Sequence, residues 1–284
     1  MKTICFETSN KIEWVQKIAS IVSLYSETYT EKIIIDFYPK IKSKELRPFH
    51  LTSLACLIQY CSDRHISVSM SQNNKDVCYY ICEVCGFSTY WKLGKQHAIS
   101  KTPKIFSLWK IDNGEKDIFA SEVTSYFKRN INKDKDFTPI SMSLAEAYNN
   151  VFDHANAKGN AFSVISYDDK FKKINVAICD FGISIPNSVN AFLEDKRSDA
   201  EAIKIATLKN FTVKSQKNNR GFGLDNILTN SDNVRVFSKG ACLIKINGKQ
   251  QTFSMPFDFS GTLIDFDIDL SNLEDEDVLT DFDF

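Results

Sequence analysis

The stretch SLAEAYNNVFDHANA, residues 143–157, decides how the second half of the chain is read. Its apolar residues Leu144, Ala147, Tyr148, Val151, Phe152 and Ala155 recur at the spacing of one helix face, which predicts a helix packed on a sheet. Beside that stripe stand Glu146, Asn150 and His154, four residues apart each. Residues so spaced share a face and lie about 6 Å apart along the axis. A carboxylate, a carboxamide and an imidazole therefore stand in a row. Such a row can be a solvated face or the wall of a site, and spacing alone does not choose.

Working outward, residues 117–131 (DIFASEVTSYFKRNI) predict a second helix. AFSVISYDD and KINVAICDF predict a hairpin with its turn near Asp169 and Lys170. A long polar segment, 187–220, follows and contains a helical pattern at SDAEAIKIATLKNF. A helix start at Gly223 precedes four strand-like runs, NVRVFS, ACLIKIN, KQQTFSM and GTLIDFDID. The last residues, LSNLEDEDVLTDFDF, are acidic and read as a flexible or loosely docked tail.

Upstream, NKIEWVQKIASIVSLYSETYT reads as a helix, and residues 31–87 alternate in kind. KIIIDFY and ISVSM are strand-like, RPFHLTSLACLIQYCSDR is helical with Pro48 near its start, and DVCYYICEVCGF is helical and closed by Gly86. A β-α-β-α order predicts a small sheet with helices packed on it. Residues 101–116 are read as a connection, with KIFSLWKI a candidate edge strand. The expected organisation is an α/β module at 1–100, the connection, an α/β domain at 117–270 and an acidic tail at 271–284.

The chain has 284 residues, 43% hydrophobic and 25% charged, values of a globular protein with material for two ordinary domains or one large one. A net charge of −1 gives no electrostatic argument for nucleic acid or an anionic membrane. No apolar run is long enough to span a bilayer and no signal-peptide core opens the chain, so a cytoplasmic protein is expected. Eight cysteines fit that compartment as reduced thiols. Cys82 and Cys85 form one CxxC without a second pair at metal-binding spacing, and packing thiols on a helix are the expectation.

Three further pieces give the row on the helix a chemistry. The strand VAIC ends in Asp180-Phe181-Gly182-Ile183-Ser184-Ile185-Pro186, NNRGFGLDNI sets Gly221 and Gly223 before a helix, and SGTLIDFDI opens a strand with Gly261-Thr262. A carboxylate at a strand end can accept the exocyclic amine of adenine, and nearby glycines let backbone approach a purine. Glycines at a helix start leave N–H groups and the positive dipole end facing an anion. A helix carrying a carboxylate and a carboxamide can offer oxygens to Mg²⁺, which takes its other ligands from waters and phosphates.

This succession resembles the GHKL ATPase superfamily of gyrase, the ninety-kilodalton heat-shock chaperones, histidine kinases and MutL. EAYNNVFDH is similar to its N box, DFGIS to its first glycine box, RGFGL to its second, and Gly261-Thr262 to the glycine-threonine element that follows. The resemblance covers about residues 117–270 and implies a two-layer α/β sandwich that binds ATP and Mg²⁺. It implies Asn150 as the magnesium ligand and Glu146 as general base, toward water in an ATPase or toward a hydroxyl in a serine/threonine kinase. It implies Asp180 for adenine with Gly182 beside it, and residues 187–220 as a lid offering Lys214 and Arg220. Gly221, Phe222, Gly223 and Leu224 would face phosphate, and Thr262 the adenine side. His154 extends the N box as in anti-sigma serine kinases; a hydrogen-bonded helix-face imidazole is its other reading. Where the first glycine box usually reads DxGxG, this chain has Ser184 at the second glycine.

The N-terminal pattern is similar to STAS modules, the fold of anti-sigma factor antagonists. Its loop-to-helix junction reads LRPFHLTS, without the serine such antagonists carry there, and Thr52 and Ser53 fall inside the helix. A docking or sensing module without phosphorylation is expected. The resemblances together imply a bacterial regulatory protein whose nucleotide state switches a protein partner, with a dimer left open. No long helix pair carries an exposed His-Glu ahead of the N box, so the two-component branch is disfavoured. The alternative is a non-catalytic ATP-binding scaffold. Topoisomerase-like or mismatch-repair action lacks both a transducer domain and a basic surface signature.

Overall fold

The computed structural model describes residues 1–94, 100–111, 114–154, 161–208 and 224–276, with backbone alone for 116 and 150–154. Two sheets organise them. In the first, β1 (Lys2–Phe6), β2 (Lys32–Phe37) and β3 (Ser67–Met70) run parallel in the order 1-2-3. The crossovers are α1 (Lys11–Glu27) and α2 (Pro48–Asp63). Asn10 caps α1 by accepting from the Ile12 and Glu13 amides, and Pro48 opens α2. β1 is an addition to the elements expected from the sequence. After β3, α3 (Lys75–Tyr79) runs into a π-helical turn at Tyr80–Val84, and α4 (Phe87–Leu93) follows Gly86, whose φ is 84°. Cys85 is buried and Cys82 Sγ lies 3.6 Å from Met70 Sδ, so both thiols pack.

The second sheet is antiparallel, in the order β4-β5-β6-β8-β7. Its strands are β4 (Ile105–Ile111), β5 (Ala161–Asp168), β6 (Lys173–Asp180), β7 (Asn233–Ile246) and β8 (Lys249–Asp269). β4 pairs with β5 as an edge strand, so the sheet begins inside the stretch read as a connection. The four strand-like runs of the C-terminal part form one long hairpin. The breaks seen in sequence are register shifts around Ser238, Lys239 and Ala241 within continuous β7–β8 pairing.

Strand alternation gives the sheet two buried faces. Ile174, Val176 and Ile178 of β6, with Ile264, Phe266 and Ile268 of β8, face a helix layer of α5 (Lys116–Asn130), α6 (Thr138–His154) and α9 (Asp225–Asn230). Phe162, Val164, Cys179, Phe237, Phe259 and Leu263 point the other way, into the core of the N-terminal module. There α2 lies against β5, β6 and β8, and α1 against β8. The described residues thus form an α+β arrangement of four stacked layers: helices, antiparallel sheet, α1 with α2, parallel sheet. Polar pairs stitch the seam. Arg47 and Asp168 meet at 2.7 Å, and Asp265 takes both Lys11 and, at 3.0 Å, Arg235.

Two helices, α7 (Ile185–Phe192) and α8 (Asp199–Ala206), occupy the first part of the expected lid; α8 packs on α7, β7 and β8. A Ser198–Glu201 capping box starts α8. The acidic end is docked as far as it is described. Asp136 and Glu276 amides donate to Glu274 and Asp134 carbonyls, while Lys135 and Lys128 pair with Asp275 and Glu276. No described helix is long and apolar enough to cross a membrane.

Candidate functional site

The site forms where β6 ends beside the middle of β8, in the sheet that α6 packs on. Ile140, Leu144, Ala147 and Tyr148 bury one stripe of α6 against the sheet, the face that the sequence predicts through its Leu144, Ala147 and Tyr148. Tyr148 is fixed by its hydroxyl, 3.3 Å from Ser163 Oγ, which in turn donates to the Ala177 carbonyl at 3.0 Å. Glu146 is half-buried on this helix, and α6 packs on β6, β8 and α9. The side chains of Asn150 and His154, at its end, lie outside the described residues.

Asp180 closes β6 on the helix-layer face, in register with Thr262 of β8. It is fully buried. Oδ1 accepts the Gly182 amide at 2.7 Å, while Oδ2 is sealed from solvent without a hydrogen-bond partner among the described residues. Burial pushes the carboxyl up to about 7, opposed by the backbone groups of Gly182 and Thr262. A buried acceptor with no donor is costly unless something arrives to fill it.

The turn after Asp180 lies against Gly261, which has a φ of +80°. A Cβ there would strike the Asp180 carbonyl oxygen and the Cα of Phe181, so only glycine lets β8 come this close. Ser184 has φ 78° and ψ 151°, a region that glycine occupies almost alone. It is held there from both sides. Its Oγ accepts the Asn187 amide at 3.4 Å, and the next amide, of Ile185, donates to Ser238 Oγ at 2.9 Å. Ser238 Oγ donates to the Gly261 carbonyl at 2.8 Å and lies 3.1 Å from Thr262 Oγ1. One hydroxyl on β7 thus joins the turn carrying Gly182 and Ser184 to the strand carrying Thr262.

The structure therefore gathers Asp180, Gly182, Ser184 and Thr262, with the helix of Glu146 packed over their strands. Leu224 leads into α9 with its side chain buried in the helix-layer core, which leaves its backbone for any ligand. Lys214, Arg220, Gly221, Phe222 and Gly223 lie outside the described residues. Sequence reasoning missed Ser238, a lone serine in a strand with no motif around it, and also Cys56 and Tyr60 of α2, which touch this turn from the opposite face. No family model matches the chain, and no curated protein matches it either.

Proposed function

We propose that the chain is a Mg·ATP-binding regulatory protein of the GHKL type, with the nucleotide held between α6 and the turn at Asp180–Ser184. The observation that carries this reading is the buried Asp180, one of whose oxygens has no hydrogen-bond partner among the described residues, beside a strand that only glycine permits to approach. An exocyclic amine is a donor that would satisfy Oδ2. Adenine offers one at the position where guanine offers a carbonyl, so the same atom supports a preference for ATP over GTP.

The remaining roles follow from placement. Gly182 keeps the backbone beside the base free of side chains, and Thr262 stands next to Asp180 in register, its hydroxyl oriented by Ser238. Mg²⁺, held by the triphosphate and Asn150, would neutralise phosphate charge. Glu146, half-buried one turn before Asn150, is the base that takes a proton from water or from a partner's serine or threonine hydroxyl. The product of this chemistry is a change of nucleotide state that a partner protein reads.

Calorimetric titration with ATP, ADP and GTP, each with and without Mg²⁺, tests the reading. Wild-type protein is expected to bind ATP in preference to GTP, and Asp180→Asn to lose that preference. An ATP affinity unchanged by Asp180→Asn would overturn the site. Phosphate release by wild type but not by Glu146→Ala, at equal ATP affinity, separates turnover from simple binding.

A further inference from the structure

The backbone that carries Asp180 is gripped from two sides. On one side lies Gly261 of β8, in close contact with the Asp180 carbonyl and Phe181 Cα. On the other lies α2. Its Cys56 thiol donates to the Cys179 carbonyl at 3.1 Å, a contact between two buried residues 123 positions apart. One helical turn later Tyr60 meets Phe181 edge-on, with centroids 6.1 Å apart, and Phe181 meets Phe259 of β8 edge-on at 5.6 Å. Cys179, Asp180 and Phe181 are thus each addressed: a thiol on the carbonyl before the carboxylate, a glycine against its own carbonyl, two rings around the residue after it. Tyr60 is itself held by its hydroxyl, which donates to the Val22 carbonyl of α1 at 3.1 Å. The Asp180 charge also reaches the Cys56 thiol, where it adds to burial in raising the thiol's pKa.

We propose that Cys56 and Tyr60 are positioning residues for Asp180, so that α2 forms the floor of the nucleotide site and the N-terminal module sets how well adenine is recognised. This rests on the nucleotide reading above and adds regulation to it. Neither side chain touches the base; both act on the peptide units either side of the carboxylate. A movement of α2 against the sheet, from whatever binds the N-terminal module, would be felt first at the residue that tells adenine from guanine. Phosphate contacts, made elsewhere, would be spared.

The test compares ATP and GTP affinity of the full chain as wild type, Cys56→Ala, Cys56→Ser and Tyr60→Ala, with thermal melts as a control for folding. Cys56→Ala, which removes the donor, is expected to weaken ATP about 3- to 10-fold while leaving GTP within about 2-fold. Cys56→Ser, which keeps a donor, is expected to restore ATP binding to within about 2-fold. Tyr60→Ala should follow Cys56→Ala. Equal losses for ATP and GTP would overturn the assignment, because a merely structural residue weakens both together. Unchanged ATP affinity in Cys56→Ala and Tyr60→Ala would overturn it as well, while leaving nucleotide binding itself standing. A wild-type chain that binds neither nucleotide overturns the site reading, and this inference with it.

Discussion

Replacing Asp180 by asparagine should make the nucleotide-free protein gain stability over wild type as pH rises. The carboxyl's folded pKa is raised from 3.8 to about 7, mainly by burial. The folded state therefore holds a proton that the unfolded chain has already released. The stability this supplies is fully present below the unfolded pKa and is lost as pH climbs through the folded one. At about 1.4 kcal/mol per pH unit, over most of the interval between pH 5 and pH 8, the loss comes to about 2 to 3 kcal/mol. Asparagine does not titrate, so the difference in unfolding free energy between variant and wild type should shift by that amount in the variant's favour. All other groups cancel in the comparison. Urea unfolding at pH 5, 6, 7 and 8, followed by tryptophan fluorescence, measures it. ATP should reverse the order, since a donor on Oδ2 favours the ionised form. Binding at pH 6 should accordingly release most of a proton, read from calorimetry in buffers of different ionisation heat. Parallel stability curves for the two proteins would refute the argument, because they would mean that Asp180 is ionised or solvated at no special cost.

Ser184→Gly should stabilise the fold by about 1 kcal/mol, since strain at a glycine-only backbone angle outweighs the long N-cap hydrogen bond that the serine hydroxyl makes; a lower melting temperature would count against the strain. Gly261→Ala should cost about 3 kcal/mol or prevent folding, because both its φ and the Asp180 backbone exclude a Cβ, and a urea midpoint like wild type's would disprove the close approach. Asp265→Asn should destabilise more than Lys11→Met, by about 3 against 1 kcal/mol. The first leaves two cations without their shared partner, whereas the second leaves Asp265 paired with Arg235. Denaturant midpoints in the reverse order would refute that accounting. A fragment starting at residue 101 should be insoluble or bind hydrophobic dyes. It uncovers Phe162, Val164, Phe237, Phe259 and Leu263, worth about 10 kcal/mol of burial and comparable with a whole domain's stability. A soluble fragment with a cooperative melt would contradict this.

What the sequence makes legible is local. The 161–180 hairpin is readable because two alternating runs flank a polar turn, and α6 because its stripe keeps the helical period across the sheet. β1 escapes because it is five residues long with Lys2 and Thr3 exposed, too short to show a pattern. β7 and β8 read as four runs because Ser238–Gly240 and Ser260–Gly261 look like turns, yet pairing on both sides carries the strands through. Within 187–220, the segment that the resemblance implies is a lid, the helical pattern at SDAEAIKIATLKNF is legible because SDAE at 198–201 is a helix start, and α8 begins there. Asp180 is marked by a strand end followed by glycine. Ser238 has no such mark, since its role depends on three segments meeting at one hydroxyl.

The two sheets pack on one another for a reason that is present in α2 itself. FHLTSLACLIQYC is apolar around its circumference, and Phe49 to Ile58 are buried without exception. A helix covering a single sheet needs one apolar stripe; one apolar on all sides is enclosed. α2 closes the parallel sheet on one side and the antiparallel sheet on the other, which is why its small polar residues turn inward onto its own backbone. Thr52 and Ser53 donate to the Pro48 and Phe49 carbonyls at 2.9 and 2.8 Å, so neither hydroxyl is available to a kinase in this fold. The same enclosure removes α2 from the surfaces open to a partner. Any partner of the N-terminal module must engage other faces, such as the outer side of the parallel sheet, where Thr3 and Ser67 are exposed. A signal arriving there has a continuous path to the Asp180 turn: through the parallel strands into α2, and from Cys56 and Tyr60 into the strand end beneath the proposed adenine site.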